Sequence, residues 1–100
     1  MKYRIFELKV DLLENNPLRT PQRTTSLALG YTCADSLETA QSLLMDSAAF
    51  FGVKITEMSN PIEYPSLSAL NQPRAIPYLE GRDGRPTCYI APFERGYFVL

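Results

Sequence analysis

Ala75-Ile-Pro-Tyr-Leu-Glu-Gly-Arg-Asp-Gly-Arg-Pro-Thr-Cys-Tyr-Ile-Ala-Pro92 is the stretch on which the fold turns. Asp83-Gly84 suits a type I′ turn, which needs positive φ at both central positions. Closed there, the segment predicts a C-terminal hairpin in which Arg82 faces Arg85, Leu79 faces Cys88, Tyr78 faces Tyr89 and Pro77 faces Ile90. Opposed residues in an antiparallel pair alternate between hydrogen-bonded and non-bonded. Pro77, Pro86 and Pro92 all fall on non-bonded positions, which random parity yields with a chance of roughly one in eight. The missing N–H groups would then point outward and make both hairpin edges poor templates for a further strand. Recognition by such a hairpin is expected from its face or its tip. Pro77, Leu79, Cys88 and Ile90 form the expected core face. Ile76, Tyr78, Glu80, Thr87, Tyr89 and Ala91 form the other.

Upstream, residues 59–74 contain Pro61, Pro65 and Pro73 and predict a long irregular loop, with room for one helical turn over 66–71. Loops of this length are uncommon and often functional. It is a candidate contact loop, or else a crossover that merely covers the sheet. Val53 to Met58 predicts a strand with Val53 and Ile55 inward. Before it, Leu37, Ala40, Leu44, Ala48 and Phe51 recur at helical spacing and predict a helix over 36–51. Asp35 is the expected N-cap, with Glu38 three residues on, and Gly52 the expected left-handed residue beyond the end. The connection to the next strand is so short that the helix should lie back across the sheet.

Residues 24–33 predict a strand with Leu27, Leu29, Tyr31 and Cys33 on one face. Ser26, Ala28 and Gly30 on the other would let a neighbouring element approach closely. Residues 2–13 predict the first strand, with Phe6, Leu8, Val10 and Leu12 on its apolar side. Tyr3 and Ile5 predict cover on the second side near its start. A loop spans 14–23. The fold class expected is therefore α+β, a single domain over 1–100. One helix packs on an antiparallel or mixed sheet of five or six strands, in ββαβ-loop-ββ order with the C-terminal hairpin.

The chain has 100 residues, 45% of them hydrophobic, and a net charge of −1. That is enough for one core and gives no long-range attraction to nucleic acid or an anionic membrane. No stretch approaches a membrane span, and the charged N-terminal run is unlike a signal peptide. A cytoplasmic location is expected by default. With no histidine in the sequence, there is no histidine general base, no Ser-His-Asp triad and no imidazole metal ligand. No cofactor and no metal are expected. Cys33 and Cys88 are expected as buried free thiols, with a redox pair as the alternative.

Tyrosine and arginine, the residues enriched at interface hot spots, gather late in the chain. Four of six tyrosines and four of seven arginines lie beyond residue 60. The expected function is a small non-catalytic protein–protein interaction module, of adaptor or inhibitor type, suited in size to a phage or mobile element. Its binding residues would be Tyr64, Arg74, Tyr78, Glu80, Arg82, Arg85, Tyr89 and Arg95. Alternatively, Tyr78 and Tyr89 are only a stabilising cross-strand pair. The apolar tail, with Tyr97, Phe98 and Leu100, is either docked as a last strand or an interface, including one with a second copy.

Two other classes remain open. A single-stranded nucleic-acid binder would use Arg19, Arg23, Arg74, Arg82, Arg85 and Arg95 with interleaved tyrosines, although the balanced charge argues against it. A histidine-free enzyme or enzyme subunit would draw on Glu80, Glu94, Tyr78, Tyr89, Arg95 and Cys88.

Overall fold

In the computed structural model, residues 2–66, 69, 72–80 and 88–92 are described. The elements are β1 (Lys2–Leu12), β2 (Thr25–Ala34), α1 (Leu37–Ser47), β3 (Val53–Met58), β4 (Ile62–Tyr64), α2 (Ile76–Leu79) and β5 (Cys88–Pro92). All strand pairings are antiparallel. The sheet order is β3-β1-β2-β5, and β4 pairs with the other end of the β1 edge that β3 occupies. The chain is thus α+β, with one main helix on a five-stranded antiparallel sheet.

The helix side of the sheet follows from the alternation in β1. Phe6, Leu8, Val10 and Leu12 are buried, whereas Glu7 and Lys9 are exposed. The register sets large residues of β1 opposite small ones of β2: Phe6 opposite Gly30, Leu8 opposite Ala28. That leaves depth for α1. A Cβ on Gly30 would stand 2.9 Å from Leu44 Cδ2 and 3.0 Å from Leu8 Cδ1. Ala40, Leu44 and Ala48 from the helix side, Val53 and Ile55 from β3, and Cys88 and Ile90 from β5 complete this core. Full burial of a side chain such as Leu44 contributes roughly 1.5–3 kcal/mol.

α1 starts one residue later than the sequence predicts. Ser36, not Asp35, is the N-cap, and its Oγ accepts from Thr39 N at 3.1 Å. After Ser47 the helix tightens into a 3-10 turn, Ala48–Phe51, and stops at Gly52, whose φ of 73° lies in the left-handed region as expected. The Gly52 carbonyl accepts from Leu13 N at 2.9 Å and from the buried Asn16 Nδ2 at 3.1 Å. The loop after β1 is thereby tied to the end of the helix.

Among the described residues, cover on the second side of the sheet lies at one end. Tyr31 and Cys33 of β2 are buried there beneath Ala75 and Leu79, with Tyr3, Ile5, Leu29, Tyr64, Tyr89 and Ala91 packed around them. The predicted double cover near the start of β1 is therefore present. Toward the other end Glu7, Lys9, Leu27 and Glu57 are exposed.

Two regions differ from the sequence reading. Residues 59–74 are not irregular throughout. Ile62–Tyr64 pairs with Tyr3–Ile5, and Pro73–Ala75 is a 3-10 turn running into α2. Between β3 and β4, Ser59 Oγ accepts from Glu7 N at 2.9 Å, so a side chain keeps the ladder going where the strand breaks before Pro61. The register also shifts between Lys9 and Val10, and the irregular edge discourages further pairing.

The larger correction concerns the hairpin. Residues 76–79 form a helical turn, not a strand, and β5 pairs with β2. Pro73 and Pro77 sit in the first positions of helical turns, where a fixed φ is favourable and no N–H is needed. Gln72 Oε1 accepts from Arg74 N at 3.4 Å and caps the entry. Leu79 is buried, but in the layer opposite that of Cys88 and Ile90, and Pro77 is exposed, so the expected core face is split. The expected Asp83-Gly84 turn and Pro86 lie outside the described residues.

Candidate interaction surface

Phe50 and Phe51 occupy adjacent positions of the 3-10 turn and therefore point different ways. Phe51 packs against the helix-side core, while Phe50 is 76% exposed. Their rings meet edge to face at 5.1 Å. Phe51 also lies 5.6 Å from the ring of Tyr78 and 5.6 Å from that of Tyr89. Tyr78 and Tyr89 are 5.0 Å apart, and Tyr89 is 6.3 Å from its β2 partner Tyr31. These separations all suit attractive edge-to-face or offset ring pairs. The result is a connected chain of five rings. It begins on the surface at Phe50, passes Phe51 and the partly exposed Tyr78 and Tyr89, and ends at buried Tyr31. Among the described residues Phe50 touches one ring, Phe51, which is itself packed against Tyr78, Tyr89 and the helix-side core.

Tyr31, Tyr3 and Cys88 hold their protons more tightly than the free side chains do. Burial pushes the Tyr31 hydroxyl above its ordinary pKa; a hydrogen bond with Gln72 opposes this, and Tyr64 and Tyr89 reinforce it. Burial, and then the neighbouring Cys33 thiol, push the Tyr3 hydroxyl up as well. Burial likewise raises the Cys88 thiol, against a hydrogen bond with Ser47, and its Sγ donates to the Leu43 carbonyl at 3.5 Å. Cys88 is thus held as a protonated thiol, which is a poor nucleophile. Thr32 is the residue opposite Cys88, so neighbouring Cys33 faces the other side of the sheet. The two thiols cannot be joined without moving the backbone, which overturns the redox-pair alternative. Both cysteines are buried and neither is in a disulfide, as the sequence predicts.

Of the expected binding residues, Tyr78 and Tyr89 do come together, but as a helical turn stacked on a strand rather than as a cross-strand pair. Arg74 and Glu80 are exposed at either end of that turn. Tyr64 is half-buried in β4 opposite Tyr3 and backs the inner layer. Arg82, Arg85, Arg95, Tyr97, Phe98 and Leu100 lie outside the described residues, as does Glu94. Sequence reasoning did not single out Phe50. The available signal was the Phe50-Phe51 doublet just before Gly52, because neighbours at about three residues per turn point to different sides of a helical end.

Among the described residues, two cavities open elsewhere, at the end of the sheet where Glu7, Lys9 and Leu27 are exposed. One of about 390 Å³ is lined by Glu7, Lys9, Leu27, Glu57 and Met58 among others. Its neighbour, of about 320 Å³, shares Lys9 and Leu27. Lys9 and Glu57 pair at 3.2 Å there. Among the described residues no group of three or more Cys, Asp or Glu is placed to hold a metal ion, and no helix is long and apolar enough to cross a membrane. Comparison of the chain with protein-family models, with curated proteins and with solved structures finds no match.

Proposed function

We propose that this chain is a non-catalytic protein–protein interaction module of adaptor or inhibitor type. It engages its partner through Phe50 and the adjoining Tyr78–Tyr89 surface, with Arg74 and Glu80 at the ends of α2 as polar flanks. The observation that carries this reading is the 76% exposure of Phe50 on an otherwise packed aromatic chain. Leaving a phenylalanine in water forgoes roughly 1.5–3 kcal/mol of burial. Phenylalanine is also among the aromatic residues enriched at protein interfaces. The Tyr31 hydroxyl and the Cys88 thiol, which burial holds protonated, support a recognition role over a chemical one.

The test is affinity capture from the native host with the wild-type chain and with Phe50→Ser. Since Phe50 is outside the core, the variant should keep the wild-type circular dichroism spectrum and melting profile. At least one protein retained by wild type should be lost by the variant. Identical sets of retained proteins would sink the proposal.

A further inference from the structure

The outward side of α1, together with the 3-10 turn that continues it, carries more than Phe50. Glu38, Ser42 and Asp46 follow one another at four-residue steps along α1, Phe50 follows in the 3-10 turn, and all are exposed, as are Met45 and Ala49. Met45 is 54% exposed, so two large apolar side chains face water from a helix whose outward side would ordinarily be polar. Exposed Ser42 and Ala49 are small, so Met45 and Phe50 are the large side chains on this side, the residues a ridge of another helix would pack against.

The charge on this surface has one sign. No basic residue occurs between Arg23 and Lys54, and neither Glu38 nor Asp46 pairs with a basic side chain among the described residues. Asp46 stands in the last turn of α1, which holds no basic residue. The helix dipole makes that end negative and disfavours a carboxylate there. A cation brought by a partner would offset both charges at once.

We propose that this face of α1 is the docking site for a cationic amphipathic helix of a partner protein. Apolar side chains of that helix pack over Met45, Ala49 and Phe50, while its lysines or arginines meet Glu38 and Asp46. The inference rests on the interaction-module reading and names the chemistry of the partner. Charge complementarity selects a basic helix over an acidic one, and the neighbouring Met45 and Phe50 select an amphipathic segment over a purely basic one.

The experiment uses a fluorescently labelled helical peptide of leucine and lysine, and its leucine–glutamate counterpart. Both are titrated by anisotropy with the full chain and with the variants Phe50→Ser, Met45→Ser and the double variant Glu38→Gln, Asp46→Asn. The lysine peptide should bind wild type and lose about tenfold or more in affinity on each variant, a loss on the scale of one good contact or charge pair. The glutamate peptide should not bind. Equal binding of the lysine peptide to wild type and to the charge variant overturns the proposal, as does its failure to bind wild type. Light scattering that finds a wild-type dimer and a Phe50→Ser monomer also overturns it, because the occupant is then a second copy. If host proteins are lost by Phe50→Ser but kept by the charge variant, the interaction module stands and the cationic partner falls.

Discussion

Gly30 shows how one missing side chain sets the thickness of the molecule. Its α-carbon lies under Leu44, and a Cβ there would approach two leucine methyls at 2.9 and 3.0 Å. Valine would add three carbons to a fully packed layer. Gly30→Val should therefore destabilise the fold by about 1–3 kcal/mol through overpacking, read as a lower urea midpoint with little change in slope. A midpoint equal to wild type would mean that α1 does not rest on β2 at this point. Arg4 makes a contrasting case. Its side chain is 5% exposed, donates to the Ala34 carbonyl at 3.3 Å and reaches Glu63 at 3.7 Å. It closes the helix-side core at the β4 end. The alternation of β1 puts Arg4 on the side of Phe6 and Leu8, but the partner that makes its burial tolerable is not legible there, because the carboxylate that meets it comes from 59 residues away in the chain.

α1 and its two ends were readable from local spacing, yet the cap moved by one residue. Asp35 and Ser36 are both good N-caps, and only the backbone decides between them. Ser36 is extended, with φ −130° and ψ 160°, and its hydroxyl reaches Thr39 N. Ser36→Ala should lower stability by about 1 kcal/mol, and Ser36→Gly by only a few tenths. Thermal melts of the two variants check this, and an alanine variant as stable as wild type would remove the cap from the account. α2 was misread for a physical reason. Ala75 and Leu79 are four residues apart, so they share a side in a helical turn and also share a face in a strand. Pro73 and Pro77 are equally acceptable in both. The proline parity that pointed to a hairpin was real as arithmetic, but it tests only one of the two conformations.

For the whole molecule, the sheet has one thick core beneath α1 and a smaller tyrosine-rich layer beneath α2. The buried acids of both layers link stability to alkaline pH. Burial raises Cys88 above its ordinary 9.0 and Tyr31 above its ordinary 10.0. A raised folded-state pKa means that the folded chain holds its proton more tightly. The stabilising contribution is complete below the unfolded value and disappears as pH rises through the folded one. Stability should be level on this account below about pH 9 and fall as pH climbs beyond 10, and Tyr31→Phe should fall less steeply. Equal slopes for the two chains in urea titrations across that range would remove Tyr31 from the account. The sequence alone determined the elements that declare themselves within a few residues: β1 and β2 by alternation, α1 by its apolar stripe, its end by Gly52, and the depth left by Ala28 and Gly30. It also gathered tyrosines toward the C-terminal part. Tertiary structure decided the rest. β5 pairs with β2, residues 73–79 coil into a lid over Tyr31 and Cys33, and Phe50 rather than a hairpin face becomes the most exposed aromatic among the described residues. Local patterns record a residue's own conformational preference, whereas pairing and exposure depend on which distant surface offers the larger burial, and that quantity exists only once the chain has packed.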